Sequence, residues 1–343
     1  HYLAKRQSVT VHHLLVGTYT QSDAMGIYWA TFNDTNGHFE CVELAIESES
    51  PAFLCRIDDH VYAVNEAPEG GVSAFELRSG KLHFINRRSS LGSLPCHITA
   101  TRQWIAVANY GSGSVAVFRR TSDGAISQKM SYVAHQGRGP VRDRQQCAHA
   151  HEVRLVSDTE LLVPDLGADC VYQYRITPTG VLNNDPSTIA VEPGSGPRHI
   201  VAHPQQPLFY LLNELSNTIA VLHRDDVRHD QTFVSTLPDD YRGSSTTAEI
   251  QLSDDGRFIY ASNRGHDSMV TMALDDRGSP CEPSWVPTHG EHPRFFCFDP
   301  TRKWLLVANQ QSNNVSVYPV VDGRPTKVAW IADVPTPTCL LFI

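Results

Sequence analysis

Short apolar runs that end in a turn-forming residue recur along the chain at a nearly constant spacing. Seven of these runs end at Gly17, Asn65, Asn109, Asp165, Asn213, Asn263 and Asn309. The spacing averages roughly 49 residues, and repeats of this length are typical of propellers and solenoids. Seven such repeats fill the 343 residues of the chain. The pattern therefore indicates one structural unit used seven times.

Each repeat carries further strand-like segments on both sides of its apolar run. A second, alternating run follows after turn residues, as in Val115-Ala116-Val117-Phe118. A third segment precedes the apolar run and opens with a turn, as in Gly196-Pro197-Arg198-His199. No segment sustains the 3.6-residue apolar period of a helical repeat. The sequence therefore predicts an all-β fold, a seven-bladed β-propeller of four-stranded antiparallel blades.

The two ends of the chain are expected to share a blade. A propeller protects its strand edges by closing the ring. The C-terminal run from Cys339 to Ile343 is apolar and has the length of one strand. We expect it to join the N-terminal strands around Val9 to Val16, which makes residues 1–343 a single propeller domain.

Composition and charge narrow the possible partners. Apolar residues make up 41% of the chain, which excludes general disorder. No apolar run approaches the roughly 20 residues of a membrane helix. The net charge of −9 disfavours a nucleic-acid-binding surface. The chain begins without a hydrophobic signal segment, so we expect a cytoplasmic protein that binds neither nucleic acid nor membrane. No oligomeric state is predicted.

The eight cysteines are scattered and include no C-x-x-C pair. This pattern favours buried free thiols over a disulfide framework or a zinc site. Cys147 stands close to His149 and raises the alternative of a thiol nucleophile. A cysteine at a strand start without an oriented base is more typical of a packed residue, and we interpret Cys147 in that way.

The propeller topology groups a set of polar residues at one mouth of the central channel. In a blade the first strand lines the channel and the second returns antiparallel to it. The start of the first strand and the end of the second therefore share a face, which joins Arg198 to Glu214 within one repeat. The repeat before contributes His149, and the repeat after contributes Arg264. We expect these four side chains to converge, with His151 beside them.

Equivalent positions in the other repeats carry less charge. After the apolar runs they are Thr18, Glu66, Tyr110, Leu166 and Gln310, and at the strand starts they are Ala52, Cys96, Ala248 and Arg294. The charged groups thus concentrate in one sector, as a site requires. The alternative is that these charges only make hydrogen bonds between blades. Arg294 and Gln310 are candidates for substrate contact, with a structural role as the alternative.

One connection, residues 120–146, is longer and more charged than the others. A lid over the channel and an excursion on the surface are the two alternatives. We favour the surface excursion.

The predicted cluster has the groups that ester hydrolysis needs. A neutral imidazole activates water near pH 7. Two guanidinium groups hold a phosphate or carboxylate and stabilise a developing oxyanion. A carboxylate orients these groups, or donates a proton if its pKa is raised. This chemistry requires no metal and no cofactor.

Several motifs resemble one known family. They are Val16-Gly17-Thr18-Tyr19-Thr20, Ala148-His149-Ala150-His151, Gly194-Ser195-Gly196-Pro197-Arg198-His199 and Ser262-Asn263-Arg264-Gly265-His266-Asp267. Together they resemble the lactonase-type seven-bladed propellers, which include 6-phosphogluconolactonases and fungal 3-carboxy-cis,cis-muconate lactonizing enzymes. The resemblance implies an enzyme without a metal. It also implies that His149, Arg198, Glu214 and Arg264 are its active-site residues.

Three functions follow as hypotheses. The first is hydrolysis of a sugar lactone, above all 6-phospho-D-glucono-1,5-lactone, by water that His149 activates, with Arg198 and Arg264 on the phosphate or oxyanion. The second is lactonization of a carboxymuconate, in which the arginines hold carboxylates. The third is a propeller that binds a partner without catalysis. Whether His149 or Glu214 carries the proton stays open.

Overall fold

A computed structural model describes residues 10–224 and 231–343 of the chain. The elements assigned in these two ranges are β-strands, and they form seven antiparallel sheets. Within the same ranges no helix is long and apolar enough to cross a membrane. The chain is a seven-bladed β-propeller, which confirms the prediction from the repeat.

The strands follow one another blade by blade. Blades one and two contain β1 (Val11–Thr18), β2 (Gly26–Asn33), β3 (His38–Glu47), β4 (Leu54–Ile57), β5 (His60–Asn65), β6 (Gly71–Arg78) and β7 (Lys81–Ser89). Blades three and four contain β8 (Pro95–Ala100), β9 (Trp104–Asn109), β10 (Ser114–Arg120), β11 (Ile126–Ala134), β12 (Arg154–Ser157), β13 (Glu160–Asp165), β14 (Cys170–Arg175) and β15 (Ser187–Ala190).

The remaining blades repeat the arrangement. Blades five and six contain β16 (Pro197–Ala202), β17 (Leu208–Asn213), β18 (Thr218–His223), β19 (Thr232–Ser235), β20 (Thr246–Leu252), β21 (Phe258–Arg264), β22 (Ser268–Leu274) and β23 (Pro280–Pro287). Blade seven contains β24 (Pro293–Phe298), β25 (Trp304–Asn309), β26 (Asn314–Val321), β27 (Arg324–Pro325) and β28 (Trp330–Asp333), and β29 (Pro337–Phe342) returns to blade one.

The apolar runs of the repeat form the second strand of each blade. All six residues of β9 are buried, because the blade packs between two neighbouring blades and both of its faces are covered. The outer strand β3 has only one buried residue, and its other residues are half-buried or exposed in no regular order. The core is therefore a series of apolar layers between blades, and it places the polar strand ends at the two ends of the channel.

The C-terminal strand closes the ring, as the sequence predicted. β29 pairs antiparallel with β1 and places Leu340 opposite Val16. It is the innermost strand of blade one, so three strands from the N-terminus and one from the C-terminus make up that blade. Val9, which we assigned to the same blade, lies outside the described residues.

The innermost strands surround the central channel, and most of them pack against the next innermost strand around the ring. They run in the same direction, so their first residues all face one end, which we call the mouth. Their last residues surround the far end, where a cavity of about 590 Å³ is lined by residues such as Val201 and Leu252. The predicted polar residues lie at the mouth and not in this cavity.

The long connection after blade three begins with β11, the outer strand of that blade. Residues 136–143 are almost all exposed, as a surface excursion requires. The end of the segment also serves the mouth, because the side chain of Arg144 reaches Glu214. The sequence did not predict this second role of residues 120–146.

The eight cysteines are free, as expected, but they are not uniformly buried. Cys96, Cys170 and Cys339 are buried, whereas Cys41 and Cys147 are exposed. The interpretation of Cys147 as a packed residue is wrong, because it lies in the irregular segment ahead of β12 rather than in a strand.

Candidate active site

Three guanidinium groups surround one carboxylate at the mouth. Glu214 follows the last residue of β17, and its Oε2 lies 3.0 Å from Nε of Arg198 and 3.0 Å from Nη2 of Arg264. Nη2 of Arg144 donates to the other oxygen, Oε1, at 2.5 Å. Arg198 is the second residue of β16 and Arg264 is the last of β21. The strand-end rule thus brings together three of the four predicted residues.

The charge state of Glu214 follows from these contacts. Burial alone would raise the pKa of the carboxyl, but the charges of Arg264, Arg198 and Arg144 outweigh burial and lower it to about 2. Glu214 is therefore ionised at neutral pH. It holds the arginines in place and does not act as a proton donor there.

The arginines retain donors that Glu214 does not use. Burial lowers the pKa of Arg264 to about 10, so its guanidinium is still charged at neutral pH. Its Nη2 also donates to the carbonyl oxygen of Thr247 at 2.6 Å, but its Nε is buried with no hydrogen-bond partner among the described residues. A buried charged donor without a partner is costly unless a ligand supplies one.

His149 does not contact Glu214 or its arginines directly but is connected to them through Tyr110. Its ring stacks on Tyr110, with 4.5 Å between centroids, and its Nδ1 lies 2.8 Å from the carbonyl oxygen of Tyr110. A carbonyl only accepts, so Nδ1 carries the proton and Nε2 keeps its lone pair. The hydroxyl of Tyr110 lies 3.4 Å from Nη2 of Arg144, which links the imidazole to the arginines around Glu214. His149 is therefore oriented as a base through Nε2.

The turn after β13 fixes the backbone of His149. Oδ1 of Asp165 accepts hydrogen bonds from the backbone N–H groups of His149 at 2.7 Å, Gly167 at 3.1 Å and Ala168 at 2.9 Å. Oδ2 lies 2.7 Å from Nδ1 of His135, which donates to it. A Cβ on Gly167 would overlap the carbonyl oxygen of Cys147, so only glycine allows this close approach.

His151 contacts Glu214 directly, whereas His149 is linked to the arginines through Tyr110. Its Nε2 lies 3.9 Å from Oε2 of Glu214, and its ring meets the Tyr110 ring edge-on. Burial, aided by the charge of Arg198, lowers the pKa of His151 well below its ordinary value. The imidazole is therefore neutral at pH 7 and adds no charge to the mouth.

A second carboxylate occupies another part of the mouth. Glu66 follows the last residue of β5, and its Oε2 accepts a hydrogen bond from the Tyr19 hydroxyl at 2.8 Å. Nη2 of Arg294 lies 3.6 Å from the same oxygen, and its guanidinium lies over the Tyr19 ring at 5.0 Å. Burial raises the pKa of Glu66, while Arg294 and Tyr19 act to lower it. The sequence pattern suggested that the charged groups are confined to one sector of the mouth. The pair of Glu66 and Arg294 shows that they are not.

Gln310 and His292 complete this side of the mouth. The side-chain Oε1 of Gln310 is buried and has no hydrogen-bond partner among the described residues. The backbone N–H of Gln310 donates to the carbonyl oxygen of His292 at 3.0 Å. Burial, with the nearby charges of Arg264 and Arg294, lowers the pKa of His292 to about 3. This imidazole is neutral as well.

Sequence reasoning named Glu66 and Tyr110 but did not select them, and it missed Arg144, Tyr19 and His292. Glu66 and Tyr110 occupy the strand-end position of Glu214 in other blades, so the same rule had the signal to find them. Arg144 lies in an irregular segment without strand register, and no spacing in the sequence points to its contact with Glu214.

No three His, Cys, Asp or Glu side chains gather closely enough to hold a metal ion in residues 10–224 and 231–343. The polar groups of the mouth are instead paired with one another. The absence of a metal requirement stays a prediction.

The fold and site define the class of protein as a closed seven-bladed propeller with arginines, carboxylates and imidazoles grouped at one mouth of its channel. Residues 13–342 match the family described as "Lactonase, 7-bladed beta-propeller". The chain belongs to this family of seven-bladed propeller lactonases.

Relatives with known sequences or structures extend over nearly the whole chain. It is 34% identical to a Bacillus subtilis (strain 168) protein named 6-phosphogluconolactonase, over 96% of this chain and 97% of the relative. A 33% identical relative from Lactococcus lactis subsp. cremoris, which covers 89% of this chain and 91% of its own, is uncharacterized. The solved periplasmic gluconolactonase of Pseudomonas aeruginosa has a TM-score of 0.91 and 30% identity, over 97% of this chain and 99% of the other.

Proposed function

We propose that the protein hydrolyses a phosphorylated sugar lactone, with 6-phospho-D-glucono-1,5-lactone as the substrate. The charge of the mouth carries this proposal. Four guanidinium groups face two carboxylates, so even with both carboxylates ionised two positive charges remain on Arg144, Arg198, Arg264, Arg294, Glu66 and Glu214. A phosphate monoester has about two negative charges at neutral pH. The excess charge therefore matches this substrate, although the chain as a whole carries −9.

His149 is the proposed general base. Its Nδ1–H donates to the Tyr110 carbonyl, so Nε2, which lies 3.8 Å from Sγ of Cys147, has the lone pair that takes a proton from water. The resulting hydroxide attacks the lactone carbonyl carbon and forms a tetrahedral oxyanion. When the bond from this carbon to the ring oxygen breaks, the imidazolium returns its proton to that oxygen. The first products are a carboxylic acid and a free hydroxyl group, and the carboxylic acid then releases its proton to the solvent and becomes a carboxylate.

The arginines stabilise charge during this reaction. Arg198 and Arg264 offer donors to the oxyanion or to the phosphate, and Glu214 keeps both guanidinium groups in one orientation. Glu214 has a pKa of about 2, which argues against it as the proton donor to the leaving oxygen. His149 is thus the better candidate for both proton transfers.

The names of relatives support a lactone substrate and differ in detail. The Bacillus subtilis and Formosa agariphila relatives are named 6-phosphogluconolactonase, and the Pseudomonas aeruginosa structure is a periplasmic gluconolactonase. The phosphorylated substrate is our choice between these, on the charge of the mouth. A cytoplasmic location stays a prediction, since one similar protein is periplasmic.

A substrate panel tests the proposal. Acid release is followed in a pH-stat with freshly made 6-phosphogluconolactone and with glucono-1,5-lactone, and lactone formation is followed with 3-carboxy-cis,cis-muconate. We expect hydrolysis of the phosphorylated lactone above the spontaneous rate, with kcat/KM at least about 10-fold higher than for the unphosphorylated one. Reaction with the muconate alone would establish the lactonizing enzyme, and no reaction would favour a binding scaffold.

Two arginines of one segment provide a matched pair for the same assay. Arg144→Ala removes a guanidinium that contacts Glu214, whereas Arg142 is exposed. We expect Arg144→Ala to reduce the preference for the phosphorylated lactone about 10-fold. Arg142→Ala is expected to keep the wild-type preference.

A further inference from the structure

The mouth holds two carboxylates, and they differ in their free acceptor capacity. Both oxygens of Glu214 are occupied by guanidinium groups. In Glu66 the Tyr19 hydroxyl and Arg294 both approach Oε2, and no described residue donates a hydrogen bond to Oε1. The Glu66 side chain is 14% exposed, so most of it is shielded from bulk water while a ligand at the mouth can still reach it. An ionised carboxylate accepts about four hydrogen bonds, and Glu66 uses fewer.

Glu66 lies at the same mouth of the channel as the arginines around Glu214. Glu66 and Glu214 each follow the last residue of the second strand of their blade. Arg294, which contacts Glu66, is the second residue of the inner strand β24, and Arg198 has the same position in β16. Both carboxylates and their arginines are therefore available to one ligand at this mouth.

We propose that Oε1 of Glu66 accepts hydrogen bonds from hydroxyl groups of the substrate, so that the site selects a polyhydroxylated lactone ring. This inference rests on the proposed function. Tyr19 and Arg294 hold Oε2, which fixes the carboxylate plane and leaves Oε1 as the acceptor for the ligand. A bound lactone ring covers this oxygen, and an acceptor covered by a ring that lacks the matching hydroxyl is left unpaired, which makes discrimination strong. A substrate with carboxylates and no hydroxyls is repelled at the same position.

Deoxy analogues test this assignment. Hydrolysis of 6-phosphogluconolactone and of its 2-, 3- and 4-deoxy analogues is measured for the wild type and for Glu66→Gln. We expect the wild type to lose at least about 10-fold in kcat/KM with one or more analogues. Glu66→Gln is expected to lose about 10- to 100-fold on the parent lactone and to match the wild type within about 3-fold on the analogue that lacks the contacted hydroxyl.

Two further variants make the result decisive. Glu69→Gln changes an exposed glutamate three residues away and serves as the control, with wild-type discrimination expected. Glu66→Asp keeps the charge, shortens the side chain and should lower discrimination if Glu66→Gln does not fold. Equal losses on all four lactones, or wild-type discrimination in both Glu66 variants, would overturn the inference. No turnover by the wild type would instead contradict the proposed function, and the inference would fall with it.

Discussion

Single residues at the mouth have distinct electrostatic roles. Glu214 is buried among three arginines and ionised, while His151 and His292 are buried and neutral. His149 is oriented by a hydrogen bond from its Nδ1 to a backbone carbonyl. These differences come from the surroundings of each side chain rather than from its residue type. For this reason the sequence alone left the roles of His149 and Glu214 open.

The dependence of the free energy of unfolding on acid pH tests the lowered pKa of Glu214. Its pKa of about 2 in the folded protein lies below the ordinary value of 4.5, so the unfolded chain binds the proton more tightly. The stabilisation is present above about pH 4.5 and is lost as the pH falls toward 2. We expect Glu214→Gln to lower the free energy of unfolding at pH 7 by about 3 kcal/mol. Urea unfolding at pH 7 and pH 3 measures this.

The difference in the free energy of unfolding between wild type and Glu214→Gln, measured at both pH values, can contradict this account. The gap between wild type and Glu214→Gln should shrink from pH 7 to pH 3. A gap that is equal at both values would mean that Glu214 has an ordinary pKa. Glu69→Gln, an exposed change, should show no gap at either pH.

The exposed thiol of Cys147 lies 3.8 Å from Nε2 of His149, which makes it a competing nucleophile. Our mechanism uses water, so Cys147→Ser should keep kcat within about 3-fold of the wild type, well short of the loss expected for a missing nucleophile. Steady-state hydrolysis of 6-phosphogluconolactone checks this. Loss of activity in Cys147→Ser, with an acyl adduct on the wild-type thiol by mass spectrometry, would favour the cysteine instead.

At the scale of elements, strand register decided what the sequence could predict. Arg198, Glu214 and Arg264 lie at the starts and ends of strands, where a periodic pattern fixes position, and the structure joins them. Arg144 lies in an irregular segment, so its contact with Glu214 depends on a path that no periodicity describes. Glu66 followed the register, but the expectation of a single charged sector left it out of the predicted site.

The turn after β13 should control catalysis through His149. Asp165→Ala leaves three backbone N–H groups without their acceptor, whereas Asp165→Asn keeps an oxygen for them. In the asparagine variant His135 accommodates the new donor by moving its proton to Nε2, which faces the Tyr174 hydroxyl. We expect Asp165→Ala to lower kcat at least about 10-fold with little change in KM, because the Asp165 carboxylate positions the base His149 and does not bind the substrate. Asp165→Asn should stay within about 3-fold of the wild type.

The same assay separates positioning from general stability. Unfolding temperatures of both Asp165 variants are measured beside the kinetics. Wild-type kcat in a folded Asp165→Ala would show that this carboxylate does not position His149.

At the scale of the whole molecule, the repeat allowed the fold to be predicted from the sequence. The apolar runs ending at Asn109 and Asn309 became buried second strands, and the closing strand paired where expected. The site was less predictable, because the contacts of Glu214, Glu66 and Tyr110 join different blades. Such contacts depend on the closed ring and not on any one repeat.

Ring closure should therefore hold the molecule together. Removing residues 337–343 takes away the innermost strand of blade one, including the buried Leu340, and exposes the edge of β1. We expect this truncation to abolish cooperative thermal unfolding, and Leu340→Ala to cost about 2–5 kcal/mol. Circular dichroism and size-exclusion chromatography check both.

An exposed apolar residue is the matched control for that experiment. Ile331 lies on the outer strand β28 and is 45% exposed, so Ile331→Ala should change the free energy of unfolding by about 0.5 kcal/mol or less. A truncated chain that unfolds cooperatively at the wild-type temperature would contradict the closing role of β29.

The central claim is that His149 activates water for lactone hydrolysis at this mouth. The most direct measurement is the pH-stat rate with 6-phosphogluconolactone for wild type, His149→Ala and, as an exposed control, His289→Ala. We predict a wild-type rate well above spontaneous hydrolysis, a loss of about 10²- to 10⁴-fold in kcat for folded His149→Ala, and no loss for His289→Ala. A folded His149→Ala that hydrolyses the lactone at the wild-type rate would contradict the claim.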